Sequence, residues 1–226
     1  MKKRFLILVS ALICTFFGYS QNTNANSLDN MGITIAGRNY DLKYNTEGSP
    51  YLNKSFLHAK VGAVISNALM RYNAYNDEFE FINSNNDTLV LNKSGSIGVI
   101  TFVATNTNYQ LVDFVDKSGR LNSGYLIKLH EKNELLLYKR QKVNFYEAKA
   151  ASSSYESNSP AKFLAAKDSF LLKNKDGVVT ELSSNKKGLL KLFPEKKSVL
   201  ESFIKQNNID FDKELDWIKL IDFLAL

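Results

Sequence analysis

One cysteine, three prolines, two histidines and one tryptophan are all that 226 residues contain, and each scarcity closes off a class of chemistry. Cys14 lies in the apolar stretch near the start, and Leu12 and Ile13 stand before it where a lipid-attachment site places small residues. Once that stretch is removed no thiol remains, which excludes disulfides, thiol nucleophiles and cysteine–metal sites from the processed chain. His58 and His130 each sit inside a strand pattern with no paired ligand nearby in sequence, so no metal centre and no cofactor is expected. Beyond the leader no run of about 18 apolar residues recurs, and no later segment reads as membrane-spanning. A chain with so few covalent and metallic staples must be held by its core, and its length is enough to bury a sizeable one.

What the chain does have begins at its basic start. Lys2, Lys3 and Arg4 precede "FLILVSALICTFFGYSQ", an apolar run of about fifteen residues closed by Gly18 and Ser20, which is the layout of a secretory signal peptide. The run is shorter than the roughly 20 residues a transmembrane helix needs. Residues 1–20 are therefore read as a leader cut after Ser20, and 21–31 as a disordered or extended segment. The net charge of +6 shrinks accordingly. Without those three cations, 26 basic residues face 23 acidic ones, a balance of +3 with lysines and acids interspersed, unlike the concentrated patch of a nucleic-acid binder.

From Ile33 to Ser183 the apolar period is two, interrupted by turn residues, which predicts a β-rich domain over 32–183 built of antiparallel strands. Expected strands include "YDLKYN" at 40–45, "ALMRYN" at 68–73, "DEFEFI" at 77–82, "ELLLYKR" at 134–140 and a single long one at 162–173. Glycine-ended loops are expected at 117–119, 122–124 and 175–177. The small polar run at 148–160 reads as a mobile surface loop or hinge. Residues 184–226 switch to a helical period. Pro194 opens one helix with a stripe of Val199, Leu200, Phe203 and Ile204, and Asp212 is placed to cap a second carrying Trp217, Leu220, Ile221 and Leu224. The expected fold class is α+β: an antiparallel β-rich sandwich or partly open barrel with a C-terminal pair of amphipathic helices.

The stretch "MRYNAYNDEFEFI", residues 70–82, reads as a hairpin with a greasy side. Leu69, Arg71 and Asn73 point one way and Met70 and Tyr72 the other; after the turn Phe79 and Phe81 face the core, while Glu78 and Glu80 face solvent. Burying each phenylalanine is worth roughly 1.5–3 kcal/mol. Asp77, Glu78 and Glu80 form an acidic cluster without a calcium-loop pattern. "KSGSIG" at 93–98 only superficially resembles a hydrolase elbow or a phosphate loop, and no catalytic residue is assigned. The aromatic-rich strand region leaves Tyr72 and Tyr75 as candidate ligand-contacting residues. Lys186, Lys187, Lys191, Lys196 and Lys197 gather at the helical start, where a solvated face competes with contact to anionic lipid.

Four stretches, "GSPYLNKSF" (48–56), "LMRYNAYNDEFEF" (69–81), "YLIKLHEKNELLLYKRQKVNF" (125–145) and residues 186–224 with their "LLKLF" element, resemble a family of uncharacterised exported proteins of Bacteroidota-type bacteria. The resemblance implies export and a shared fold, and carries over no site. Together these readings give an exported protein of the periplasm or outer membrane that binds an envelope ligand or partner protein without catalysis. The alternatives are a hydrolase of envelope or dietary polymers, betrayed by two carboxylates about 5–9 Å apart in a pocket, and a scaffold of an outer-membrane assembly, betrayed by an apolar patch on the last helix.

Overall fold

A computed structural model of the chain describes residues 28, 32–34, 46–63, 65–151 and 157–226. The expected leader, most of 21–31, the strand at 40–45 with Tyr40 and Tyr44, and residues 152–156 of the polar loop lie outside the described residues. The fold is α+β, a large and mostly antiparallel sheet followed by C-terminal helices. Its strands are β1 (Gly32–Thr34), β2 (Leu57–Val61), β3 (Ile65–Asn73), β4 (Glu78–Ile82), β5 (Thr88–Leu91), β6 (Ile100–Phe102), β7 (Thr107–Val115), β8 (Leu121–Lys132), β9 (Leu135–Arg140), β10 (Val143–Tyr146), β11 (Lys162–Ala165), β12 (Ser169–Lys173) and β13 (Val179–Glu181). The helices are α1 (Lys186–Leu192), α2 (Lys197–Gln206) and α3 (Glu214–Leu224).

Strand order is β1-β5-β4-β3-β2-β6-β7-β13-β12-β9-β8, and β8 pairs back onto β7. The last five strands therefore close on themselves into a small barrel, while β1–β6 continue outward as an open wing. One strand belongs to both. β6 meets the start of β7 (Phe102 opposite Thr107, Ile100 opposite Tyr109), β8 runs along Tyr109–Val115, and β13 touches β7 in parallel at the single pair Thr180–Val115. That last contact closes the barrel with the least pairing of any joint, so the wall is partly open there.

The packing follows from strand parity. Leu136, Tyr138, Leu171, Phe114, Leu126 and Val179 point into the barrel. Their chain neighbours Leu135, Leu137, Phe170 and Leu172 point outward and are covered by Leu189, Leu200, Ile204, Trp217, Leu220, Ile221 and Leu224 of the helices. The wing closes over a third cluster of Met70, Tyr72, Phe79, Phe81, Ile100, Phe102, Tyr109, Tyr125 and Ile127. Leu129 packs against both the wing cluster and the helix-covered one, which joins them along one face of the sheet.

Several local expectations are corrected. The long strand at 162–173 is two: β11 pairs with β10 as a separate ribbon, and β12 joins the barrel wall. Ser123 and Gly124 lie within β8 instead of forming a turn, because glycine serves there as a close-approach point: a Cβ on Gly124 would sit 2.9 Å from Asp77 Oδ2. Gly119 and Gly177 do close hairpins with positive φ. The ends of the polar loop are drawn together by paired bonds between Lys149 and Ser159 (2.9 and 2.8 Å), so the described part continues the β10–β11 ribbon. The helical segment has three helices, the extra one being α1, whose Asn185 caps Gly188 N. Asp212 does not cap α3. Its carboxylate pairs with Lys167 at 2.6 Å, and the residue before the helix is Lys213, with no side-chain cap. Val199 of the expected buried stripe on α2 is exposed, whereas Leu200 and Ile204 are buried. No helix among the described residues is long and apolar enough to cross a membrane.

Candidate functional site

The β3–β4 hairpin forms as its alternation dictates, with Tyr72 opposite Phe79 and Met70 opposite Phe81. Asn73 Oδ1 accepts from Asn76 N across the turn, and Asp77 adopts a left-handed φ of 58°, a region aspartate tolerates better than most residues. Tyr72 does not reach the rim. Its ring lies 5.0 Å from Phe79 and 5.1 Å from Tyr109 inside the wing core, and its hydroxyl donates to Asp77 Oδ1 at 2.6 Å. Burial, with the Asp77 charge beside it, pushes the Tyr72 phenol well above its ordinary range, so it stays a donor. Tyr75 is 39 % exposed and packs edge-on against Phe163 (5.3 Å) and Phe145 (6.2 Å) of the β10–β11 ribbon. Tyr72 is thus buried in the wing cluster, and Tyr75 sits at that cluster's exposed edge against the ribbon.

The acidic cluster is dispersed in three directions. Asp77 holds Lys93 Nζ at 2.5 Å and accepts from the Tyr125 backbone N at 3.1 and 3.3 Å, so the hairpin turn caps an edge of β8 that β9 leaves unpaired. Glu78 accepts from Asn76 Nδ2 at 3.4 Å. Glu80, expected in solvent, is only 2 % exposed. The segment before β2 crosses that face, and Glu80 receives Arg71 Nη2 (2.6 Å), Arg71 Nε (2.7 Å), Tyr51 Oη (2.9 and 3.1 Å) and Asn73 Nδ2 (3.3 Å). Arg71 is itself stacked between Tyr51 and Phe56, 3.9 and 4.4 Å from their ring centres. A buried carboxylate saturated in this way holds structure together and has no lone pair to offer a ligand.

The histidines are not brought together either. His58 Nδ1 lies 2.6 Å from Asn67 Oδ1, and His130 Nε2 lies 2.9 Å from Asp222 Oδ1 on α3. No group of three or more His, Cys, Asp or Glu placed to hold a metal occurs among the described residues.

A concavity among the described residues lies at the weak joint of the barrel. A cleft of about 390 Å³ is lined by Gly98, Val99, Gln110 to Asp113, Tyr138, Lys173, Gly177 and Val179. It opens because β6 leaves β7 at Tyr109 and β13 arrives only at Val115. Backbone direction in the gap follows from one hydrogen bond. Tyr125 N–H points at Asp77, away from β7, so the Leu111–Tyr125 pair is one in which the backbone groups turn outward from the β7–β8 ladder. By the two-residue period Leu111 and Asp113 both present N–H and C=O to the cleft, where no described strand or loop meets them. Gln110, on the alternate parity, accepts from Tyr138 Oη at 3.1 Å at the barrel mouth. Burial raises the Tyr138 phenol, with the Glu131 charge adding to it, which keeps that donor protonated. Asp113 and Lys173 supply the only ionised side chains of the lining.

Sequence reasoning did not single out Gln110, Asp113 or Lys173. The signal available was the break in alternation in "YQLVDFVD", where an acid follows two adjacent apolar residues in a strand. The separation between β6 and β13 that gives this break its meaning depends on the pairing of Thr180 with Val115, far apart in the chain.

Elsewhere, Asp168 and Glu214 flank one lysine: Lys139 Nζ is 2.6 Å from Glu214 and 3.8 Å from Asp168. Burial lifts the Asp168 carboxyl above the usual range, against the opposing pull of Lys139. This pair lies outside the cleft lining. Compared with known protein families, with curated proteins and with solved structures, the chain matches none of them.

Proposed function

We propose that the chain is an exported cell-envelope module that binds without catalysis, and that its ligand is an extended polypeptide segment laid along β7 in the cleft. The observation that carries this is the pair of strand residues, Leu111 and Asp113, whose backbone donors and acceptors open onto a cavity with no strand beside them. A peptide in β conformation satisfies such an edge through its own main chain, while flanking side chains set specificity. Asp113 and Lys173 offer one charge of each sign to a polar segment. The signal-like leader and the resemblance to exported Bacteroidota-type proteins support the compartment.

The cleft lining holds one carboxylate, Asp113, so it lacks the acid pair a glycosidase needs. The hydrolase reading rests instead on Asp168 and Glu214, which share Lys139 as a counter-ion. For the scaffold reading, α3 exposes Leu215 as its one large apolar side chain, which is less than a patch.

The test is to purify the processed protein from native envelope, identify what accompanies it, and follow amide exchange with and without that material. The expected result is a peptide or protein whose presence slows exchange at Leu111 and Asp113, and whose binding weakens in Asp113→Lys or Lys173→Glu. A bound partner that leaves those two amides unprotected overturns the assignment. So does turnover of an envelope polymer that Asp168→Asn or Glu214→Gln abolishes.

A further inference from the structure

From the charge and exposure of the α1–α2 segment, we propose that this surface docks on an anionic lipid headgroup layer, independently of the cleft. Residues 186–206 hold six lysines and two glutamates. Apart from them and the leader, the chain has 20 basic and 21 acidic residues, so the whole positive excess of the processed protein is concentrated in this one segment. Its two acids are already committed or isolated. Glu201 is bonded to Lys186 at 2.5 Å, which together with Lys197 draws its carboxyl below the usual range, and Glu195, in the turn between the helices, makes no ion pair among the described residues.

The exposed side chains of the segment are of the two kinds found at membrane interfaces, cationic and apolar. On α1, Leu189 and Leu190 are buried while Lys187, Lys191 and Leu192 face outward. On α2, Leu200 and Ile204 are buried while Lys197 and Val199 face outward. Leu192 is 44 % and Val199 56 % exposed, with the exposed ring of Pro194 between them in the connecting turn. Lys187, Lys191 and Lys197 make no ion pair among the described residues. Exposed apolar side chains within a cationic segment insert at the headgroup boundary while the lysines meet lipid phosphates. The competing acids Asp210, Asp216 and Asp222 belong to the adjoining α3 region and are engaged by Lys213, Lys219 and the His130–Lys132 pair.

The protein in the form that exporting cells produce is mixed with vesicles of phosphatidylcholine alone or with about a third phosphatidylglycerol, and sedimented at low salt. Expected is partition to the anionic vesicles only, lost at about 0.5 M salt, where screening is nearly complete. Lys187→Glu/Lys191→Glu is expected to cut partition about ten-fold or more, and Leu192→Ser/Val199→Ser to reduce it at unchanged charge. All four positions are exposed, and circular dichroism checks that the variants stay folded. Equal partition of the Lys187→Glu/Lys191→Glu variant and the unaltered chain overturns the proposal. So does binding to neutral vesicles, or retention on a soluble polyanion without binding to anionic vesicles. Because the peptide cleft lies elsewhere, these variants leave exchange at Leu111 and Asp113 unaltered.

Discussion

The wing and the barrel solve the same problem with different chemistry. The wing buries rings on one face, where Phe79 lies 4.8 Å from Tyr125, 5.2 Å from Tyr109 and 5.0 Å from Tyr72, and closes its other face with an ion-pair network around Glu80. The barrel wall is apolar on both faces and mostly aliphatic, with Phe114 and Tyr138 inside and Phe170 outside, one side filled by its own interior and the other by helices. Two-sided burial suits a continuous run such as "ELLLYKR". One-sided burial gives the wing its clean alternation, and its polar face is then available for a crossing segment to cover.

The comparison is broken most severely at its ring centre. Phe79→Ala empties a fully buried site among four aromatic neighbours, and a loss of about 4 kcal/mol is expected in urea unfolding. Leu137→Ala, equally buried in the barrel wall, should cost about 3 kcal/mol. Leu129 and the shared strand β7 couple the two halves, so each variant is expected to unfold in one transition. A second transition confined to the wing would show that the regions are separate cooperative units.

Next comes the wing's polar face. Glu80→Ala leaves Arg71 with its carboxylate partner gone and the hydroxyl of Tyr51 redirected, and about 3 kcal/mol is expected to be lost. Arg71→Met/Glu80→Leu removes both charges and should recover most of that loss, since matched apolar replacement of a buried pair is close to neutral. If the double variant is as unstable as the single one, Tyr51 and Asn73 carry more of the network than the ion pair does.

The same face marks where the sequence stopped being legible. Alternation placed Phe79 and Phe81 correctly, because neighbouring residues set a strand's parity. It placed Glu80 in solvent because nothing local announces that residues 51–56 will cross that surface. The partly open barrel was within reach of strand counting, but its seam depends on β13 reaching β7 across 65 positions. "KKGLLKL" shows no helical period of its own because one buried Leu189–Leu190 pair is too short to display one. Trp217, Leu220, Ile221 and Leu224 are legible because their spacing repeats over two turns.

A smaller effect separates the turn from the strands it joins. Asp77→Asn retains a side chain that tolerates positive φ but removes the charge that Lys93 and Tyr125 N use, and about 2 kcal/mol is expected. Amide exchange at Tyr125 should accelerate more than at Leu126, whose backbone groups face β7. Uniform acceleration would mean that the turn acts through global stability alone.

The smallest effect uses pH, and two carboxylates where helix α3 meets the barrel give it opposite signs. Hydrogen bonds from His130 and Lys132 hold the Asp222 carboxyl below its ordinary range. Its contribution is therefore present above the unfolded value of about 3.9 and lost as pH falls from there through the folded value. Burial raises Asp168 instead, so its charge costs stability at neutral pH, and protonation relieves that cost as pH falls through the raised folded value. Both groups are more than a third exposed, and solvent keeps each effect small. In urea titrations across the acid range, Asp222→Asn should flatten the loss below about pH 4. Asp168→Asn should be the more stable protein near neutrality, the gap closing on acidification, while Lys139 keeps Glu214 as its partner. A gap that widens with acid would mean that Lys139 depends on Asp168 more than burial opposes it, and that this edge of the barrel is tied to α3 by charge as firmly as the wing is tied by Glu80.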